Sequence, residues 1–437
     1  LIPKTNSISK KFVILTPNHT TGNRRPNQAD LLGDTPQPIR LMLFALLIFT
    51  PLARGAIQGW AITVIHLITW AALTLFFLQL IQNPKWMTTP LDMPLALLVV
   101  LTACSMAFSV HRPTSTRAFV LMMNYVAVFY LVRHTVSSRT RLLQLVHLII
   151  GIAVFLSVFG LIKKFGANPF VWWDYPDIGQ GNLASTYGNR NHLAGYLEMT
   201  IPLVLGLFLV GPKPGKTAFL VYLLALLLTT LVLTLSRGGW VGTISGLIFM
   251  SAALLGNRFF LYKRYLGTLV GGLLFLSLVV FSSTSVVDRI LTLTENAPDI
   301  SMDGRVTAWK GCLDMIETYP LLGTGPGTFG LAFTRFQPAG FNIRYDYAHN
   351  DYLQAVCDVG LFLIPVAGWI LTALFRRGFS KLKNPSRLVR GTTLGALSGI
   401  VAILVHSFVG FQPADTGECT AVHGSCRNRG LTPARKR

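Results

Sequence analysis

The chain has 437 residues, 51% of them apolar and 13% charged, with a formal net charge of +21 at pH 7. That balance is too oily for a water-soluble protein of several domains and leaves the bilayer as solvent. The positive charge does not imply nucleic acid, because Lys and Arg fall mostly in short loops between apolar runs, where they orient helices.

In chain order, residues 1–38 are polar and basic, lack a signal-peptide pattern and start with Leu rather than Met. They read as a disordered leader of the kind translated from upstream of a true start. A spanning helix needs about 20 mainly apolar residues. Eleven runs near that length follow: Leu41–Leu52, Trp60–Leu80, Leu91–Ser109, Thr116–Val132, Leu142–Leu161, His192–Val210, Phe219–Leu235, Trp240–Leu255, Tyr265–Ser283, Tyr352–Leu374 and Leu388–His406. The predicted fold is an all-α polytopic membrane protein with helices 1–9 over 39–283, a long loop over 284–351 holding amphipathic helices, and helices 10–11 over 352–411.

Alternate loops differ in charge. One set holds Lys85; Arg133, Arg139 and Arg141; Lys213 and Lys216; Arg258, Lys263 and Arg264; and Arg376, Arg377, Lys381, Lys383 and Arg387. The opposite set holds Arg54, Arg112 and Arg237, with Lys163, Lys164 and Arg190 in a longer loop. The positive-inside rule then puts the N-terminus and the richer set in the cytoplasm. The loop 284–351, the Tyr187–His192 segment and the Ser236–Gly239 turn all fall on the other face, where their polar groups can converge.

Five cysteines, Cys104, Cys312, Cys357, Cys419 and Cys426, form no CxxC pair and have no His at zinc spacing, so neither a metal nor another cofactor is expected. Cys312 and Cys357 are able to meet outside the membrane, although nothing requires it. After Phe411 the helical period stops. Read one base out of register with permitted codons, Phe411–Gly430 can encode FNLQIPANALLFTVLAVTA, an apolar run of spanning length. Residues 412–437 are therefore expected to be a frameshifted tail that replaces a twelfth helix.

Four motifs carry possible chemistry. In Tyr347-Ala348-His349-Asn350-Asp351-Tyr352, a polar cluster opens a long apolar run, and an imidazole at a helix mouth can take a proton from a sugar hydroxyl. Equally, Asn350 or Asp351 caps the helix and His349 is interfacial. In Leu235-Ser236-Arg237-Gly238-Gly239-Trp240, a guanidinium at a membrane surface can bind phosphate bidentately beside glycines that admit a headgroup. The alternative is a tight turn whose Arg snorkels while Trp240 joins the aromatic belt. Val306, Trp309, Leu313 and Ile316 recur at helical spacing up to Pro320, predicting an interfacial helix with Arg305 at its start, facing headgroups. The glycine-rich Leu322–Gly330 lacks the Lys-Ser/Thr ending of a P-loop and reads as a turn. His66 and His147, inside apolar runs, read as packed side chains.

Taken in order, GNRNHLAGY (Gly188–Tyr196), LSRGGW (Leu235–Trp240), GRVTAW (Gly304–Trp309), YPLLGTGPGTF (Tyr319–Phe329), AHNDYLQ (Ala348–Gln354) with DVGL (Asp358–Leu361), and HSFVGF (His406–Phe411) resemble the O-antigen ligase and polymerase superfamily of bacterial envelope glycosyltransferases. Members typically have about twelve spanning helices, and often carry VDFNLxIPANA where this chain reads Val409-Gly410-Phe411-Gln412-Pro413. One extra G turns codons for VDFNL into codons for VGFQP, in keeping with the frameshift.

The resemblance implies an enzyme of the bacterial inner membrane. It would transfer a glycan from undecaprenyl diphosphate to an acceptor at the periplasmic face, by an inverting mechanism without metal or nucleotide. His349 matches the histidine that activates the acceptor hydroxyl, and Arg237 and Arg305 match the arginines that hold the diphosphate. Asn189, Arg190, Asn191, His192, Asn350 and Asp351 are candidate substrate contacts.

Ligation to lipid A core is the leading reading. Polymerisation of O-antigen or exopolysaccharide and oligosaccharide transfer to protein share the motif set; the acceptor is accordingly lipid A core, a glycan or a protein. The rival of another class is a lipid-linked glycan transporter or flippase. Such a protein should carry ionisable groups in mid-helix or broken helices at the midplane, whereas here most strong polar groups sit at helix ends. Membrane lipids are expected partners and nucleic acid is not.

Overall fold

The computed structural model describes residues 36–84, 86–166, 183–211, 213–255, 260, 262–280, 300–337 and 345–409. Most of the basic leader, Lys85, Arg258, Cys419, Cys426 and the expected frameshifted tail lie outside them. Among the described residues there is no strand.

Among the described residues, nine α-helices precede the long loop: α1 Gln37–Leu52, α2 Gly59–Gln82, α3 Asp92–Ala107, α4 Arg112–Thr135, α5 Arg139–Phe165, α6 Arg190–Leu209, α7 Pro214–Leu233, α8 Arg237–Leu254 and α9 Leu266–Val280. In the loop and after it come α10 Ile300–Thr318, α11 Asp351–Val359, α12 Leu363–Lys381 and α13 Arg387–Val409. Among these, α2, α4, α5, α6, α7 and α13 have the length and hydropathy to cross a bilayer, while α1 and α3 are shorter apolar helices. The chain is thus an all-α polytopic membrane protein.

Capping side chains set where helices begin. Ser138 accepts from the Arg141 amide at 3.3 Å to start α5, Asn189 from Asn191 at 2.8 Å to start α6, and Ser236 from Gly239 at 3.2 Å to start α8. Without them, orphan N–H groups would face a medium with few acceptors.

The predicted interfacial helix is present as α10, which ends at Thr318, ahead of Pro320. The run Tyr352–Leu374 is not one helix, and this corrects the reading from sequence. It divides into amphipathic α11 and apolar α12 at Gly360, whose φ of 89° lies in the left-handed region. A side chain at Gly360 would collide with the Leu321 carbonyl, so close approach of the glycine-rich turn demands glycine there. Apolar residues on both sides of the break hide it from hydropathy.

That turn is a clasp. The Thr324 and Gly325 amides donate to the Cys357 and Asp358 carbonyls at 2.9 Å each, and the Asp358 carboxylate accepts from the Gly327 amide at 3.0 Å. Burial pushes the Asp358 carboxyl up to about 7, against the pull of the nearby Gly327, Phe329 and Thr328 amides. Ala308, Cys312, Met315, Phe329, Phe333 and Cys357 pack beneath as a small core between α10 and α11. Cys312 and Cys357 do meet, as buried free thiols, with the Cys357 thiol 3.6 Å from the Cys312 carbonyl.

Helix α13 is packed most closely against α6 and α8, and small residues allow it. A Cβ built at Gly395 would lie 2.5 Å from the Leu203 Cα, and one at Gly246 would lie 2.7 Å from the Ser398 carbonyl oxygen. Gly206 meets Gly391, and Gly238 meets His406. The pairings run in opposite directions along the helices, so α13 is antiparallel to both. In lipid such close backbone approach supplies the van der Waals contact that drives helix association.

Candidate functional site

The polar motifs come together where α6 and α8 begin and α13 ends. Arg190 and Arg237 are the first residues of their helices, and each is half-buried. The Ser236 hydroxyl donates to the Asn191 Oδ1 at 2.8 Å, which ties the two helix starts together and puts Arg237 within electrostatic reach of Arg190. A cation at a helix N-terminus opposes the macrodipole by about 0.3–1 kcal/mol. Two such cations also repel each other, and an anion bound between them would relieve both terms.

Asn189 is the cap of α6. His192 is buried, with its ring edge-on to Tyr187 at a centroid distance of 6.2 Å. Tyr187 lies in turn against Gly55 in the turn after α1.

His349 and Arg305 approach from the long loop. The Trp309 indole donates to the Ala348 carbonyl at 3.0 Å, and the Ala348 amide donates to Gln354 Oε1 at 3.1 Å. Buried Asn350 then caps α11, accepting from the Tyr352 and Leu353 amides at 3.1 Å each. His349 is thereby pinned on both sides in a left-handed conformation, φ 53°, which costs a non-glycine residue about 1–3 kcal/mol. Burial pushes its pKa down, and the nearby Arg305 charge pushes it further. The imidazole is therefore uncharged near neutral pH, the form in which it accepts a proton.

Asp351 opens α11. Burial raises its pKa to about 6, against the opposing pull of a Ser407 hydrogen bond and the His406 charge. The Tyr352 hydroxyl donates to the Leu404 carbonyl at 2.6 Å, and Trp309 meets Phe408 edge-on at 6.2 Å. The last turn of α13 is thus the shelf on which α10 and α11 rest. Its His406 also touches Gly238, the residue after Arg237.

The structure therefore brings Arg190, Asn191 and Arg237 together at two adjoining helix starts beside the last turn of α13, and rests on that same turn the helices α10, which carries Arg305, and α11, which follows His349 and opens on Asp351. Asn350 has its side-chain oxygen engaged in the cap. Among the described residues, no group of three or more His, Cys, Asp or Glu is placed to hold a metal ion.

Sequence reasoning missed Glu198. It is 0% exposed within α6, and both carboxylate oxygens lie near His406 Nδ1, at 3.0 and 3.1 Å. The signal was available, since a lone carboxylate in an apolar run is unusual in itself. Glu198 is an exception to the expectation that most strong polar groups sit at helix ends.

The O-antigen ligase family model matches residues 222–367, from within α7 to within α12. Over that stretch the chain is similar to the O-antigen ligase and polymerase superfamily, in keeping with the motifs read from the sequence. The matched segment contains Arg237, Arg305, His349 and Asp351. The match supports activity of ligase or polymerase type in this multi-pass membrane protein; enzymes of that family act in general between a lipid-linked glycan and an acceptor. No curated protein matches the chain.

Proposed function

We propose that this protein is an O-antigen ligase-like enzyme of the bacterial inner membrane. It would move a glycan from undecaprenyl diphosphate to lipid A core at the periplasmic face, with inversion and without a metal. The observation that carries the reading is the paired arginines at two adjoining helix starts, joined through His406 to a segment that presents an uncharged histidine beside Arg305.

In this donor the bond between C1 and phosphate is already activated. The enzyme must hold the diphosphate, place a hydroxyl on the opposite face of the sugar and take its proton. Arg237 and Arg305 bind the phosphates, aided by Arg190 and the two helix starts, and offset the charge of the departing diphosphate. His349 accepts the hydroxyl proton as the new bond to C1 forms and the bond to phosphate breaks. Asn189, Asn191, His192, Asn350 and Asp351 shape the surroundings of the donor sugar and acceptor.

The test is transfer by the purified chain in detergent, from undecaprenyl-diphosphate-linked glycan to lipid A core, beside His349→Ala. Wild-type product with the variant slower by at least about a hundredfold supports the role of the base; equal rates would remove it. Product extended on the lipid carrier, with none on lipid A core, would identify a polymerase, and product on protein would identify an oligosaccharyltransferase. Failure with every donor and acceptor pair, while sealed vesicles move the lipid-linked glycan, would favour transport.

A further inference from the structure

We propose that Glu198 and His406 are positioning residues for transfer: the carboxylate fixes the imidazole, and with it the last turn of α13 on which α10 and α11 rest, and so the helix start that presents His349. The task assigned to the pair rests on the function proposed above; its structural half does not.

The pair is fully enclosed, with Glu198 0% and His406 1% exposed. His406 Nδ1 lies 3.0 and 3.1 Å from the two carboxylate oxygens, and this contact fixes the plane and orientation of the ring. Helix α8 shapes the slot around it. A Cβ built at Gly238 would lie 2.5 Å from His406 Cδ2 and 2.7 Å from Nε2, and one at Gly242 would lie 2.6 Å from Glu198 Oε2. The two glycines of the Gly238-x-x-x-Gly242 repeat each face one member of the pair. On the far side, the Tyr352 hydroxyl of α11 donates to the Leu404 carbonyl at 2.6 Å and Trp309 of α10 meets Phe408 edge-on at 6.2 Å, so both helices rest on the turn that carries His406.

Stability alone does not account for this arrangement. A buried ion pair is commonly no better for the fold than apolar side chains of similar volume, although losing one partner is severe. The pair spans the α6–α13 interface, between the arginines at the helix starts and the histidine on the loop. It can therefore set the register of one half of the site against the other.

The experiment compares full-length wild type, Glu198→Gln and the paired apolar variant Glu198→Met/His406→Leu in detergent. It reads kcat and KM for transfer, thermal midpoint and amide hydrogen exchange over residues 345–359. Both variants are expected to lower kcat on the order of tenfold, with donor KM within about twofold of wild type. Exchange over 345–359 is expected to quicken on the order of tenfold. The paired variant is expected to melt no lower than Glu198→Gln.

A paired variant that transfers at the wild-type rate would make the pair mere filling and overturn the proposal. Unchanged exchange over 345–359 in a folded paired variant would do the same. If wild type shows no transfer with any substrate, the function proposed above fails, while the exchange comparison still decides whether the pair holds the loop.

Discussion

At His349 two influences act in the same direction. Burial and the Arg305 charge both disfavour the imidazolium, so the acid limb of kcat/KM should fall below the ordinary histidine value of about 6.5, with a plateau at neutral pH. Replacing Arg305 by Gln removes one of these influences and should move that limb upward, beside any loss of donor affinity. An unmoved limb would show that the titrating base lies elsewhere. Asp351 has the opposite sign. Its folded pKa is raised from 3.8 to about 6, so the folded state holds a proton that the unfolded state releases. The contribution of Asp351 to stability therefore declines as pH rises between those values and is level above them. Asp351→Asn should accordingly gain more in thermal midpoint, relative to wild type, at pH 7 than at pH 4; an equal difference at both would refute the shift. His349 and the two arginines were legible because each sits in a short polar motif between apolar runs. The partner of His406 was not, because pairing α6 with α13 is a tertiary fact.

The elements were legible to the extent that apolar run length reports them. The runs coincide with helices because lipid requires backbone polar groups to be satisfied within the segment. Hydropathy failed where apolar sequence continues through a turn: Gly360 divides α11 from α12 in the middle of such a run. It was also silent on which helices touch, although small residues four apart, Gly238, Gly242 and Gly246 on α8 and Gly391, Gly395 and Gly399 on α13, mark the faces that do. These faces make a direct prediction. Gly246→Leu and Gly395→Leu should each cost about 1–3 kcal/mol, since the new side chain would meet backbone. Gly151→Ala in α5, where a Cβ meets nothing within 4 Å, should be neutral or stabilising by up to about 1 kcal/mol. Denaturant titration in detergent measures all three, and equal effects would mean that the close packing of α13 contributes nothing special.

For the whole molecule, the geometry supplies a check on orientation that does not use charge. The starts of α6 and α8, the end of α13 and the turn after α1 share one end of the bundle, because Asn191 meets Ser236, Gly238 meets His406 and Gly55 meets Tyr187. At the opposite end, the Arg387 guanidinium at the start of α13 donates to the Gly211 carbonyl just after α6, at 3.3 Å, next to the loop that carries Lys213 and Lys216. The Arg387 loop and the Lys213–Lys216 loop, both of the richer set, thus lie a full helix length from the starts of α6 and α8, and for these segments loop charge and helix packing agree on which share a face. The positive-inside rule then predicts that the Arg387 end faces the cytoplasm. In a background with the native cysteines replaced, Asp346→Cys should react with a membrane-impermeant maleimide in spheroplasts with intact inner membranes, and Lys383→Cys only after permeabilisation; both positions are exposed. The reverse pattern would put the arginines and His349 in the cytosol, away from a donor presented at the outer leaflet. Labelling of both positions without permeabilisation would mean that the two loops share a face, contradicting the antiparallel packing of α6 and α13 across the bilayer.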